Sequence, residues 1–512
     1  MEMLPEVVSL APRLLSIPRQ RESAAPPLRK TLGIITLSGV FWCVWFNTTT
    51  GTPLTLFAQK LGASNFEFGL LTALPFLASL MAVPGSFLIE RTGRRKEAFL
   101  RSLYPQRLMW APIALAPLMI VGRSGSIGPG RALTVFLVLM FLMYAVGSVG
   151  SPAWLSWMSD VVPSRLNGKY FSRRRQWGIL AAAPAAAFVG WFLDHRVPDE
   201  PRAVLGWCSL FFLCAGVCGL ADIHMFQYVP AKDRPARRSI RLVDTFREPM
   251  RDRPFLFASG FIAMLTFALT FLGQFATLYM LDQVGAGNMT VQMALVVAPM
   301  IGQLIVLGAW GRAADRAGKR PLLVLAAIGL VPVGIGWCFV TRGNVWLAYV
   351  LSALGAALWT GIEVVNMNLV LERSADRRQG AGGYAAVNSV IVNVAGCLGG
   401  LAAGGIAQWL RDWHWQPLPG CKILGFYDVL FLAGSAMRLL ALVAFLPLLH
   451  EPCARSAGYA LKFMGASIAE SAKRLLRIPS IHHPKVEPEP ALPIVLPVAP
   501  TTLPALPIRR CA

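Results

Sequence analysis

The chain has 512 residues, 55% of them hydrophobic and only 14% charged, with a mean hydropathy of +0.54. Soluble globular domains carry about 25% charged residues, so this composition excludes an ordinary soluble domain and points to a bilayer. The net charge of +22 would suggest nucleic acid in a soluble protein, but Lys and Arg gather here in loops beside apolar runs. That is the pattern of topology control, and it sets nucleic-acid binding aside.

The first thirty residues, 1–30, read as a basic tail. Their apolar run is broken by Pro12 and Arg13 and is no signal peptide. An uncleaved first helix is therefore expected. Twelve apolar runs follow, at about 32–57, 66–89, 98–121, 132–158, 177–194, 203–228, 254–280, 289–310, 322–341, 345–371, 384–410 and 426–449. Such runs match the ~20 residues that cross a bilayer. They must be helices, because lipid offers the backbone no hydrogen-bond partner. The basic, Pro-containing linker 229–253 divides them six and six, into bundles 31–228 and 254–450. The expected fold is an all-α polytopic membrane protein.

Arg29 and Lys30 precede span 1; Arg91, Arg94, Arg95, Lys96 and Arg101 follow span 2; Arg165, Lys169, Arg173, Arg174 and Arg175 follow span 4. The loops on the other side carry far fewer cations. This asymmetry predicts cytoplasmic N- and C-termini and an inner (plasma) membrane location. Beyond the last span, 451–512 holds a stretch with Leu461, Met464, Ile468, Ala472 and Leu475 at helical spacing among Lys462, Lys473, Arg474 and Arg477. It reads as an amphipathic helix on the inner leaflet or as a basic tail without fixed structure. The Pro-rich remainder reads as disordered, partly polyproline II.

The halves repeat. "KLGASN" (Lys60–Asn65) matches "QVGAGN" (Gln283–Asn288), each just outside the second span of its half. Glu90-Arg91-Thr92-Gly93-Arg94-Arg95 then matches Asp315-Arg316-Ala317-Gly318-Lys319-Arg320. A six-span internal repeat marks several transporter folds. The pattern Gly-x3-Asp-Arg-x-Gly-Lys-Arg, Gly311 to Arg320, resembles the loop signature of the major facilitator superfamily, which recurs in the second half. "LGASNFEFGLLTALP" and "WLSWMSDVVPSRLNGKYFSRRR" resemble a bacterial branch of that family. The first copy departs from the pattern at Glu90, where the family has Asp, and at Ser86, where it has Gly.

The resemblance implies two pseudo-symmetric six-helix bundles and a small-molecule substrate. It also implies a charged clamp built from Glu90, Gly93 and Arg94 in one half and Asp315, Gly318 and Lys319 in the other, with acidic partners Asp160 and Glu372. Carboxylates at helix ends suit such a clamp, since they pair with guanidinium groups and helix N-termini. The alternative is that these charges serve topology alone. The resemblance also places a substrate cavity between spans 1, 4, 7 and 10. Span 1 carries Asn47, Thr48, Thr49 and Thr50 a turn after Trp42 and Trp45. Amides and hydroxyls bind polyhydroxyl groups and aromatic faces stack on sugar rings, so Trp45, Asn47 and Thr48 are substrate candidates; helix packing is the alternative.

Charges inside spans are costly and usually functional. Arg107, Asp222, Glu363 and Arg438 stand out, with Asp222 near enough to its span end to reach water. Glu363 and Arg438 lie roughly 12 and 16 Å from the inner ends of spans 10 and 12 at 1.5 Å per residue, so the two are expected to meet. They then form either a structural ion pair or a proton-coupling site. Asn366 follows Glu363 by one turn on the same face and joins the substrate candidates.

Nine cysteines include no CxxC spacing, and the six histidines are scattered. No metal site, cofactor, P-loop or catalytic constellation is expected, so the chain is no enzyme and carries no ATP motor. Span 5, "WGILAAAPAAAFVGWFLD", lacks the glycine-proline signature of the superfamily's drug-proton antiporters. The leading expectation is a secondary active transporter of a small solute working by alternating access, with proton coupling through Glu363. Multidrug efflux and a transport-silent sensor or scaffold are the alternatives. No residue pattern specifies an oligomeric state.

Overall fold

The computed structural model describes residues 28–117, 129–163, 167–231, 246–375, 381–416, 422–448 and 457–476. The N-terminal tail, most of the central linker and the Pro-rich end lie outside the described residues. In chain order the helices are α1 (Leu28–Thr49), α2 (Thr52–Lys60), α3 (Asn65–Ser79), α4 (Ala82–Thr92), α5 (Arg95–Leu108), α6 (Trp110–Leu115), α7 (Pro129–Val161), α8 (Asn167–His195) and α9 (Pro201–Met225). They continue with α10 (Arg253–Thr270), α11 (Gly273–Leu278), α12 (Asn288–Gln292), α13 (Ala298–Ala317), α14 (Lys319–Gly336), α15 (Trp346–Ala375), α16 (Ala381–Trp409), α17 (Phe426–Phe445) and α18 (Ala457–Leu476).

Among the described residues, eleven helical stretches are long and apolar enough to cross a membrane, and their bounds fall within a few residues of the apolar runs. The third expected span appears as α5 and α6, whose hydropathy is cut by Arg95, Lys96, Glu97, Arg101 and Arg107. Span 1 is broken into α1 and α2 at Gly51, with φ 71°. The break has a local cause. Thr48, Thr49 and Thr50 turn their hydroxyls back onto the carbonyls of Val44, Trp45 and Phe46 at 2.9, 2.9 and 2.8 Å, a contact that bends helices. Gly51 supplies the left-handed backbone and Pro53 restarts the helix without needing a donor.

The described chain falls into two compact units, Met1–Gly62 with Ala78–Ser239 and Ala63–Leu77 with Ile240–Ala512. In the first, Phe99 packs edge to face on Trp157 and Phe226, in a core with Ile35 and Ala153. In the second, Trp310, Ala313, Leu322, Ala326 and Ile362 form the core where α13, α14 and α15 meet. The matched sequence landmarks share a backbone requirement. Gly62 and Gly285 have φ 88° and 65°, and Gly93 and Gly318 have φ 71° and 92°, so each half turns at the same two places on a residue without a Cβ.

The start of span 2 belongs to the second unit. Gly69 of α3 meets Gly404 of α16 so closely that a Cβ on Gly69 would lie 2.3 Å from the Gly404 Cα. Gly400 and Gly396 continue the stripe against Ala73 and Phe76. Small residues allow this approach, and packing is what holds membrane helices together. Gly69→Leu is expected to destabilise the protein by about 1–3 kcal/mol through overpacking. Scanning fluorimetry in detergent checks it, and an unchanged melting temperature would contradict the contact.

Candidate functional site

In the first copy of the signature loop, α4 ends on Gly93, whose N–H donates to Ile89 O at 2.8 Å. The chain then turns directly into α5. Arg95, not Arg94, reaches the expected acid: its Nη1 lies 2.5 Å from Asp160 Oδ2 and 3.0 Å from Ser156 O. Arg94 stays largely exposed and lies 3.4 Å from Glu97. In the second copy Lys319, the counterpart of Arg94, pairs with Glu372. Glu90 is exposed at the end of α4 and makes no ion pair among the described residues. The side chain of Asp315 lies outside the described residues. A close helix approach occurs one residue before Ser86, where a Cβ on Gly85 would meet the Val149 carbonyl.

The four intramembrane charges do not pair as the depth argument expects. Arg438 is buried and donates from Nη1 to Leu330 O at 2.9 Å. Glu363 is exposed and accepts from Trp359 Nε1, one turn back on α15, at 3.1 Å. They do not meet, because α17 packs on α14 and α10 while α15 packs on α13 and α14. Equal height along two helices says nothing about whether those helices are neighbours.

The pair that does form is Arg107 with Asp222, each only 2% exposed. Asp222, near the end of α9, does not reach water. Its Oδ1 accepts from Ser38 Oγ of α1 at 2.6 Å and its Oδ2 from Arg107 Nη2 of α5 at 3.3 Å. Arg107 Nη1 donates to Gln106 Oε1 at 2.8 Å. The guanidinium carbon lies over Trp45 of α1, 3.5 Å from the ring centroid, a cation–π contact that strengthens with desolvation. Trp110 meets Trp45 edge to face at 6.4 Å. Gly219 of α9 makes room, since a Cβ there would lie 2.5 Å from Arg107 Cδ. Arg174 of α8 donates from Nε to Ile35 O of α1 at 3.1 Å, and the Cys43 thiol of α1 packs against Gly178 of α8. Arg107 Nε, Trp45 Nε1 and Trp110 Nε1 are buried with no acceptor among the described residues. Buried groups left unsatisfied in a native structure ask for a functional explanation.

The other substrate candidates are placed differently from one another. Asn47 and Thr48 are buried, and their donors turn to Cys43 O and Val44 O of their own helix at 2.7 and 2.9 Å. Trp45 is occupied by Arg107. Asn366 is half-buried, and its Oδ1 has no donor among the described residues. The aromatic pair left on the exposed stripe of α1 is Trp42 and Phe46, stacked at 5.3 Å.

Comparison with known proteins places these features in context. The sequence model described as Major Facilitator Superfamily matches residues 34–404. No curated protein sequence matches. Among solved structures, a D-xylose-proton symporter superposes with a TM-score of 0.58 at 14% identity, over 82% of this chain and 97% of that one. The xylose transporter XylE from E. coli, partially occluded and inward open, gives 0.56 at 13% identity over 83% and 100%. The nucleoside transporter NupG gives 0.55 at 12% identity, also over 83% and 100%. At such identities the likeness is one of fold.

Proposed function

The chain belongs to the major facilitator superfamily, a family of secondary transporters built from repeated six-helix halves, and from that premise we propose that it moves a small hydrophilic solute by alternating access, driven by protons that bind at Asp222. The observation that carries the proton assignment is the Arg107–Asp222–Ser38 cluster. A carboxylate held among α1, α5 and α9 ties three spans together while it is charged. Protonation removes that charge, weakens the bond from Arg107 and frees the guanidinium over Trp45. The helix that bears Ser38 and Trp45 also bears the polar run at Asn47 and Thr48, so proton occupancy and the shape of span 1 are linked through one side chain. Glu363, without Arg438 beside it, serves as the comparison residue.

The signature loops fit the inner clamp in this scheme. Glu90, Gly93, Arg94 and Asp160 act in the first half, and Asp315, Gly318, Lys319 and Glu372 in the second, with Arg95 added as the cation that holds Asp160. Trp45, Asn47, Thr48 and Asn366 remain the substrate-side candidates. A xylose and a nucleoside transporter among proteins of like fold make polyhydroxyl solutes the first class to try.

The solute class is read by thermal shift of the purified chain against sugars, nucleosides, peptides, organic acids and dyes, since binding stabilises the folded state by mass action. Stabilisation by polyhydroxyl solutes supports this reading. Stabilisation by dyes alone would replace it with drug efflux, and no shift with any class would favour a transport-silent role. Orientation has its own check. Ile240→Cys, in a chain otherwise free of cysteine, is expected to resist a membrane-impermeant thiol reagent added to intact cells. Labelling from outside would reverse the topology.

A further inference from the structure

The segment after the last span is not a loose tail where it is described. Helix α18, Ala457–Leu476, lies against the second signature loop and packs on α13 and α14. Ala460 and Met464 are buried in the core that contains Ala313, Ala317, Leu322 and Leu323. Two arginines of the signature, one turn apart on α13, are held by it. Arg312 donates from Nε to Ser467 Oγ at 3.0 Å and from Nη2 to Ser467 O at 3.3 Å. Arg316 stacks over Phe463 at 5.1 Å. The first signature copy has a different neighbour: a cavity of about 440 Å³ bordered by Leu88, Ile89, Arg94, Glu97 and Arg101. Among the described residues, the helix packs on the second half.

One face of α18 is used by this docking, and Leu461 and Gly465 beside it are exposed. At 100° per residue, positions 461, 465, 468, 472 and 476 fall in one stripe flanking the docked one, and they read Leu, Gly, Ile, Ala and Leu. Leu461 is 58% exposed. Lys462 and Lys473 stand at the far edge of that stripe, and Lys462 is exposed. An apolar stripe bordered by lysines, on a helix fixed beside the end of a membrane bundle, has the chemistry of a surface helix. Its apolar side chains enter the acyl boundary and its cations meet headgroup phosphates. Within the helix three cations face one acid, Glu470, so an anionic surface is the complementary one.

We propose that α18 is a lipid-reading strap: it docks on the second signature loop by its Ala460–Met464–Ser467 face and binds an anionic phospholipid surface by its Leu461 stripe and Lys462 and Lys473. The lipid charge at one membrane surface then acts on the clamp arginines Arg312 and Arg316 through a single helix. The proposal stands apart from the transport assignment, since docking and stripe are independent of what the protein carries.

The test uses the full chain in nanodiscs of phosphatidylcholine, with and without phosphatidylglycerol. Hydrogen exchange of the unmodified protein is read over 457–476. Collision accessibility is read from a spin label on Leu461→Cys in a chain whose other cysteines are replaced. The expected result is a severalfold slowing of exchange on adding phosphatidylglycerol, together with a label more accessible to oxygen than to a water-soluble nickel chelate. The double variant Lys462→Glu/Lys473→Glu is expected to lose the lipid dependence while eluting as a folded particle. Equal exchange and equal accessibility in both lipids would overturn the proposal. So would a lipid dependence that survives the charge reversal, since the partner would then be the apolar bilayer and not its charge.

Discussion

Arg107→Met and Asp222→Asn are each expected to cost about 3–5 kcal/mol of stability, the usual penalty for stranding one member of a buried charge pair. The reason is geometric. Among the described residues Arg107 pairs with Asp222 alone, and the guanidinium is sealed between Trp45 and Gly219. Asp222 in turn would keep only the Ser38 hydroxyl at 2.6 Å. The double variant should lose less than the sum of the single losses, by the 0.5–3 kcal/mol typical of residues in contact. Unfolding followed by scanning fluorimetry in detergent closes the cycle. Strict additivity would mean the two groups do not interact, and the proton assignment would lose its basis. Replacing Glu363 by Gln, by contrast, should cost less, because Glu363 is exposed and is not stranded as one member of a buried charge pair.

Glu90→Gln and Asp315→Asn are expected to shift the balance between inward- and outward-open forms by about 1–3 kcal/mol, roughly 5- to 150-fold in population. Glu90 makes no ion pair among the described residues, while its neighbour Arg95 is committed to Asp160 at 2.5 Å. A carboxylate left exposed at the end of α4, next to a turn fixed by Gly93, is available to a partner that changes between states. Distances between spin labels on the two halves report the populations, and thermal shift with the identified solute reports binding. Unchanged distances in both variants would leave these charges with topology as their only role.

Much of this architecture is legible in the sequence, and the parts that are not share a cause. Apolar runs give spans to within a few residues, because the ~30 Å hydrocarbon core fixes their length. The repeat is legible because positive-φ turns at Gly62, Gly93, Gly285 and Gly318 demand the same residue in both halves. Which charges meet is not legible. Position along a helix sets height, but the choice of Arg107 for Asp222, and of a carbonyl for Arg438, depends on which helices are neighbours. The same limit applies to Trp45. It stands a turn before a polar run and reads as a sugar-stacking residue, yet its face is taken by an arginine sixty residues away in the chain. The choice of Arg95 over Arg94 turned on a single step of helix register at Gly93. Nor is it legible that Gly85, one residue before the departure at Ser86, faces Val149.

The most direct test is accumulation against exchange in proteoliposomes, with the solute found by thermal shift. An inside-alkaline pH gradient is imposed without ATP, and uptake of labelled solute is followed for the wild type and Asp222→Asn; counterflow between labelled and unlabelled solute is then measured with no gradient. The account predicts gradient-driven accumulation by the wild type that collapses with a protonophore. It predicts that Asp222→Asn retains counterflow but no longer concentrates the solute. Accumulation by Asp222→Asn equal to the wild type would contradict it.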